Sequence, residues 1–211
     1  MASIEENVIK IFTDLSNAES TDVINELWNN LVLYDSDIQK YKFDQEKYPR
    51  LNLSISKEEI EKLKEEKFIT DDNTVNVISN ALPITKLLYA VLWKQGDLAK
   101  IKHIISGIIS QADEEYNKGL IFYQFGKHLS NKNKEPIVDQ HVLRAWETFY
   151  NNTNLKKEKQ SPSQLIKGYK KWLNESLRVE FKTCENYLYH IDKLLFAVGK
   201  YIKNNETKLL K

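Results

Sequence analysis

Asp139 is the residue of this chain best placed to do chemistry. It stands in the run Pro136-Ile137-Val138-Asp139-Gln140-His141-Val142-Leu143-Arg144-Ala145-Trp146, where a Pro-initiated turn leads into a segment of helical character. Val142, Leu143, Trp146, Phe149 and Tyr150 recur at three- and four-residue intervals, the stripe of an amphipathic helix. An Asp just before such a stripe occupies the N-cap. There its carboxylate accepts from free backbone N–H groups and lies at the positive end of the helix dipole. The side chain is expected to point outward. A carboxylate held in this way suits a reaction that develops positive charge on the substrate. Asp is also a common cap for purely structural reasons, so the cap alone does not separate a catalyst from a helix start.

Other candidate chemistries are sparse. His103, His128 and His190 fall in separate helical segments without HxxxH or HExxH spacing, so no metal site is expected. There is no phosphate-binding Gly-rich loop, Ser-centred elbow or Cys/His zinc pattern. No cofactor is implied. Trp93, Trp146 and Trp172 are of a type that can stack on an extruded base, but each fits an apolar helical stripe and is expected in the core.

The elements that must position these residues read as helices almost throughout. Ala2–Asn17 and Asp22–Tyr34 carry helix-spaced apolar residues, and Ser56-Lys57-Glu58-Glu59 is a capping box opening a helix to Phe68. Leu51–Ile55 alternates as a short strand would, and residues 69–80 read as an irregular connection or a short helix. Pro83 opens an apolar helix through Trp93 that ends near Gly96, and Asp97 caps the next, with Ile101, Ile104, Ile105, Ile108 and Ile109 inward. Glu114–Leu129 follows, then a polar loop, Ser130–Glu135, that delivers the chain to Pro136. Ser161-Pro162-Ser163-Gln164 is a strong helix start, and Val179–Lys203 reads as one long final helix. The expected fold class is all-α, a helical bundle with at most a short β element at residues 51–55.

Composition agrees with a globular protein: 41% hydrophobic and 29% charged residues are ordinary values, and six Gly with four Pro favour long helices. A single cysteine, Cys184, excludes an intrachain disulfide framework and a cysteine metal site. No apolar run approaches a membrane span and no signal-peptide pattern opens the chain, so no membrane association is expected and the cytoplasm is the expected compartment. The net charge of +1 conceals a gradient. Residues 1–80 hold 9 Lys/Arg against 17 Asp/Glu, whereas residues 151–211 hold 13 against 6. This divides the chain into an acidic, mainly helical N-terminal region, 1–80, which offers a surface for a protein partner, and a helical core, 81–211. A basic C-terminal part permits a nucleic-acid-binding face, although a solvated lysine-rich surface is the commoner cause of such a bias.

The run Val138-Asp139-Gln140-His141-Val142-Leu143-Arg144 resembles the Val-Asp-Thr-His-Val-x-Arg signature of the helix-hairpin-helix DNA glycosylase superfamily. Leu87–Leu98 and Ile191–Lys200 look like segments of a bacterial family with the 8-oxoguanine DNA glycosylase fold, so the likeness spans about the last two thirds of the chain. The resemblance implies that Asp139 serves base excision by stabilising an oxocarbenium-like sugar. It also implies that Lys118, which opens Lys118–Gly126 where bifunctional members carry a catalytic lysine, forms a Schiff base with the sugar and adds abasic-site lyase activity. DNA is then the expected partner. His141 and Arg144 match the signature and can contact phosphate or brace the Asp turn.

One departure matters. The family's hairpin is rich in glycines that let backbone N–H groups approach a phosphate, but the equivalent here, Ala112-Asp113-Glu114-Glu115-Tyr116-Asn117, has no glycine and three consecutive acids. DNA must therefore be gripped elsewhere, with Lys167, Lys170, Lys171 and Arg178 as candidates, or the chain keeps the fold without the chemistry and serves as an inactive binding or interaction module. A hydrolase of free nucleosides is a third reading, needing the carboxylate but no basic groove.

Overall fold

The computed structural model describes residues 2–42, 44, 46, 50–76, 82–110, 119–154 and 160–209, the last four as backbone only. In chain order the helices are α1 (Ile4–Asn17), α2 (Thr21–Asn29), α3 (Lys57–Glu65), α4 (Pro83–Gln95), α5 (Leu98–Ile109), α6 (Leu120–Ser130), α7 (Gln140–Thr153), α8 (Pro162–Glu175), the single turn α9 (Val179–Lys182) and α10 (Tyr187–Leu209). The described residues contain no strand, and the fold is all-α as the periodicity implies. Contacts divide the chain into two units, Met1–Leu51 with Pro136–Lys211, and Asn52–Glu135. This division follows packing, and differs from the boundary at residue 80 suggested by charge.

In the first unit α10 is the centre. Leu188, Ile191, Leu194, Leu195, Ala197 and Val198 are buried along it. It lies against α7, so closely that a Cβ on Gly199 would sit 1.8 Å from the carbonyl oxygen of His141. α1 packs on α7 through an aromatic cluster: Phe12 stacks on Phe149 at 4.3 Å and meets the edge of Trp172 at 4.9 Å, with Trp146 6.1 Å from both Phe12 and Trp172. Trp146 and Trp172 are thus core residues, as their stripes predict.

The second unit is built on the crossing of α5 and α6. Cβ atoms added at Gly107 and Gly126 would each lie 2.0 Å from a backbone oxygen of the facing helix, that of Tyr123 and of Ile104. The absence of side chains there is what lets the two backbones touch. α3 begins at the Ser56/Glu59 capping box, both bonds of which are formed. A mainly apolar cavity of about 720 Å³ opens between α3, α4 and α5, lined by Ile60, Leu63, Phe68, Tyr89, Ile101 and Ile105 among others.

Several expectations are corrected. Residues 51–55 form no strand; instead the Ile55 N–H donates to the Leu129 carbonyl at the end of α6, a helix carbonyl that would otherwise lack a partner. Asp97 occupies an N-cap position without capping, because its carboxylate pairs with Lys100. The long final helix is broken into α9 and α10, with Asn186 in the left-handed region at φ 60° between them. Trp93 is not in the core: it is 65% exposed, together with Ile84, Leu87, Leu88 and Val91 of the same helix. α4 is apolar around most of its circumference, so a stripe-based assignment has no polar side against which to orient it. The predicted helix from Glu114 begins, within the described residues, at Leu120, and its earlier part lies outside them.

Candidate functional site

Asp139 is the N-cap of α7. Its Oδ1 accepts from the backbone N–H of His141 at 2.7 Å and of Val142 at 2.8 Å. The extended backbone at Asp139, φ −119° and ψ 177°, is what turns the carboxylate back over these two donors. Oδ2 makes no hydrogen bond among the described residues. One oxygen is therefore spent on holding the side chain and the other remains open, on a residue that is half-exposed.

Behind the turn lies a carboxyl group that the sequence reading missed. Asp192 on α10 is buried, and its Oδ2 accepts from the Ile137 N–H at 2.7 Å while its Oδ1 accepts from the Tyr169 hydroxyl at 2.9 Å. One side chain thus ties the Pro136–Asp139 turn, α8 and α10 together. Burial pushes the Asp192 carboxyl up to about 8; its two hydrogen bonds pull the other way, and the nearby Asp139 charge adds to the rise. At neutral pH Asp192 is mainly protonated, so it adds no buried negative charge behind Asp139. Burial and the same Asp192 contact drive the Tyr169 phenol well above its ordinary range. The signal in the sequence was phase: Asp192 falls on the inward face of α10 with Leu188, Ile191 and Leu195, where a carboxylate is out of place.

His141 and Arg144, the matched signature residues, come together. The Arg144 guanidinium donates to His141 Nδ1 at 3.2 Å, which fixes the neutral imidazole with its proton on Nε2. The ring meets the edge of Phe196 at 4.9 Å. Burial lowers the pKa of His141, Asp139 opposes the fall, and Arg144, Lys203 and Lys200 add to it. Three cations therefore act on the imidazole next to Asp139: Arg144 bonds to it, and Lys200 and Lys203 of α10, both unforeseen, bear on it through their charge.

The basic residues expected to grip DNA are separate from this group. Lys167 and Lys171 lie exposed on α8, Lys170 is half-buried there, and Lys171 pairs with Glu175 at 3.9 Å. Arg178, at the start of α9, is ion-paired with Glu19. Lys171 and Arg178 thus carry carboxylate partners. Lys118 and the acidic Ala112–Asn117 segment lie outside the described residues. Among the described residues no group of three or more His, Cys, Asp or Glu side chains is gathered as metal ligands would be.

Compared with known protein families, with curated proteins and with solved structures, the chain matches none of them.

Proposed function

We propose that the chain is a base-excision glycosylase-like protein acting on DNA, with Asp139 supporting the sugar cation as the base departs and Lys118 able to form a Schiff base with the sugar. The observation that carries this reading is the Asp139 carboxylate itself, held by two amides through Oδ1 with Oδ2 open. A preorganised charge of this kind lowers the barrier without reorganising during the reaction. Arg144, Lys200 and Lys203 supply positive potential beside it, which suits a phosphodiester substrate. The same reading places the protein in the cytoplasm, where it needs no cofactor.

Borohydride trapping on duplexes carrying 8-oxoguanine or an abasic site tests the proposal. The wild-type chain is expected to form a covalent adduct and Lys118→Gln to lose it, while other lysine variants retain it. No adduct from the wild type, where a control lyase traps, removes the lyase claim. Retained base release in Asp139→Asn removes the role of Asp139.

A second reading, an interaction module without chemistry, draws on α4. A chain that exposes Ile84, Leu87, Leu88, Val91 and Trp93 on one helix presents the kind of apolar surface that marks protein contacts. Base release abolished by Asp139→Asn decides against it.

A further inference from the structure

Lys193 on α10 is 6% exposed, yet no carboxylate and no hydrogen-bond acceptor among the described residues meets its ammonium group. Its contacts are ring faces: Nζ lies 4.7 Å from the centre of the Trp28 ring and 5.8 Å from that of Tyr189. Each ring is shared with a second cation. Lys42 Nζ lies over Trp28 at 5.0 Å, and the Arg50 guanidinium lies over Tyr189 at 5.8 Å while donating to Asn186. His190, next to Tyr189, holds the Asn25 amide oxygen at 3.0 Å. All belong to the first unit: Lys42 directly follows the Ile38–Tyr41 turn, Trp28 lies on α2, and Tyr189, His190 and Lys193 lie on α10.

A solitary lysine that sends its ammonium to water over an aromatic ring would be an ordinary snorkelling side chain. This arrangement differs, because three cations crowd two rings and none of them is ion-paired with a carboxylate among the described residues. The cost shows at Lys193 and at the neighbouring His190. Burial first, and then Lys42, lower the pKa of Lys193; burial, Lys193 and Arg50 lower that of His190, with Asp22 alone opposing. Ring faces attract cations by about 0.5–2 kcal/mol each but leave the charge in place. An oxyanion would relieve the repulsion. Elsewhere on this unit Arg178 and Lys171 already have carboxylate partners, so this cluster is the stronger anion site.

We infer that Lys193, Lys42 and Arg50, arrayed over Trp28 and Tyr189, form a binding site for a phosphoryl group. Lysines meet phosphate as point charges and Arg50 offers a planar fork. The group can belong to a nucleic-acid strand or to a free nucleotide. This site is independent of Asp139 and Lys118, and stands or falls without them.

Fluorescence anisotropy of a labelled oligonucleotide, single-stranded and duplex, is measured against the full chain over a range of salt concentrations. A second arm measures inorganic phosphate and a nucleoside monophosphate by calorimetry. Lys193→Met, Lys42→Gln and Arg50→Gln are each expected to weaken binding roughly tenfold and to reduce the slope of log K against log salt by about one, with Lys62→Gln, on the exposed face of α3, unchanged. Lys42 and Arg50 are accessible, so their variants carry the expectation without risk to folding. Binding of the free ligands that needs Lys193 and Lys42, without oligonucleotide binding, assigns the site to nucleotides and supports it. Wild-type affinity and salt slope in Lys42→Gln and Arg50→Gln, or no binding in either arm, overturns it.

Discussion

Asp139 has a structural task whatever its chemistry, and substitution separates the two. Asn caps a helix as well as Asp does, so Asp139→Asn is expected to unfold in urea within a few tenths of a kcal/mol of the wild type, whereas Asp139→Ala loses about 1 kcal/mol. On the proposed function, base release is expected to fall about 100-fold or more in both. Equal loss of stability in the two variants would show that the cap is not what Asp139 provides. Asp192 makes a different prediction, through pH. Its folded-state value of about 8 lies above the ordinary 3.8, so between these limits the folded chain binds more protons than the unfolded one. Its contribution to stability is complete below about pH 4 and is lost as pH rises to 8, with a slope near 1.4 kcal/mol per unit. His128, His141 and His190, all lowered by burial, act in the opposite sense near neutrality, so the slope must be read as a difference. Subtracting the pH profile of Asp192→Asn from that of the wild type isolates it, and parallel profiles would remove the buried acid from the account. Asp139 was legible because a cap is written within four residues. Asp192 was not, because its partners Ile137 and Tyr169 lie 55 and 23 residues away.

Tryptophans on α4 and α7 show how far an element can be read from its own letters. α7 alternates apolar and polar faces, and the sequence places Trp146 correctly in the core, where the structure sets it against Phe12 and Trp172. α4 has no polar face to fix its rotation, and Trp93 ends up exposed. Trp146→Ala is therefore expected to cost about 3–5 kcal/mol, and Trp93→Ala to stay within about 0.5 kcal/mol, by urea unfolding. A large loss at Trp93 would mean that α4 is covered. The capping boxes at Ser56 and Ser161 formed as read, being local hydrogen-bond patterns. The break between α9 and α10 carries no proline or glycine, since Asn186 takes the left-handed conformation itself, and that is why the periodicity ran straight through it. The α5–α6 crossing was equally hidden: two glycines in apolar helices look like weak points until both backbones are seen to meet there.

At the scale of the molecule, the two units differ in how their sequence is arranged. Asn52–Glu135 is contiguous, and α5 and α6 are near neighbours along the chain. The first unit is assembled from both ends: α1 must find α7 and α10 with the whole of residues 52–135 in between. Closing so long a loop has an entropic cost that must be met before any of the aromatic contacts between Phe12, Phe149 and Trp172 can form. Local contacts are reached sooner. During refolding, amides of α5 and α6 are thus expected to gain protection from hydrogen exchange before those of α1 and α7. In the native state the order is set by burial instead, with α10 and α7 exchanging most slowly and α4, which buries no side chain fully, most quickly. Pulsed exchange read by mass spectrometry resolves both orders in one chain. Simultaneous protection of α1, α5, α6 and α7 would show that the two units fold as a single cooperative body, and early protection of α1 with α7 would reverse the sequence of events derived from the chain's connectivity.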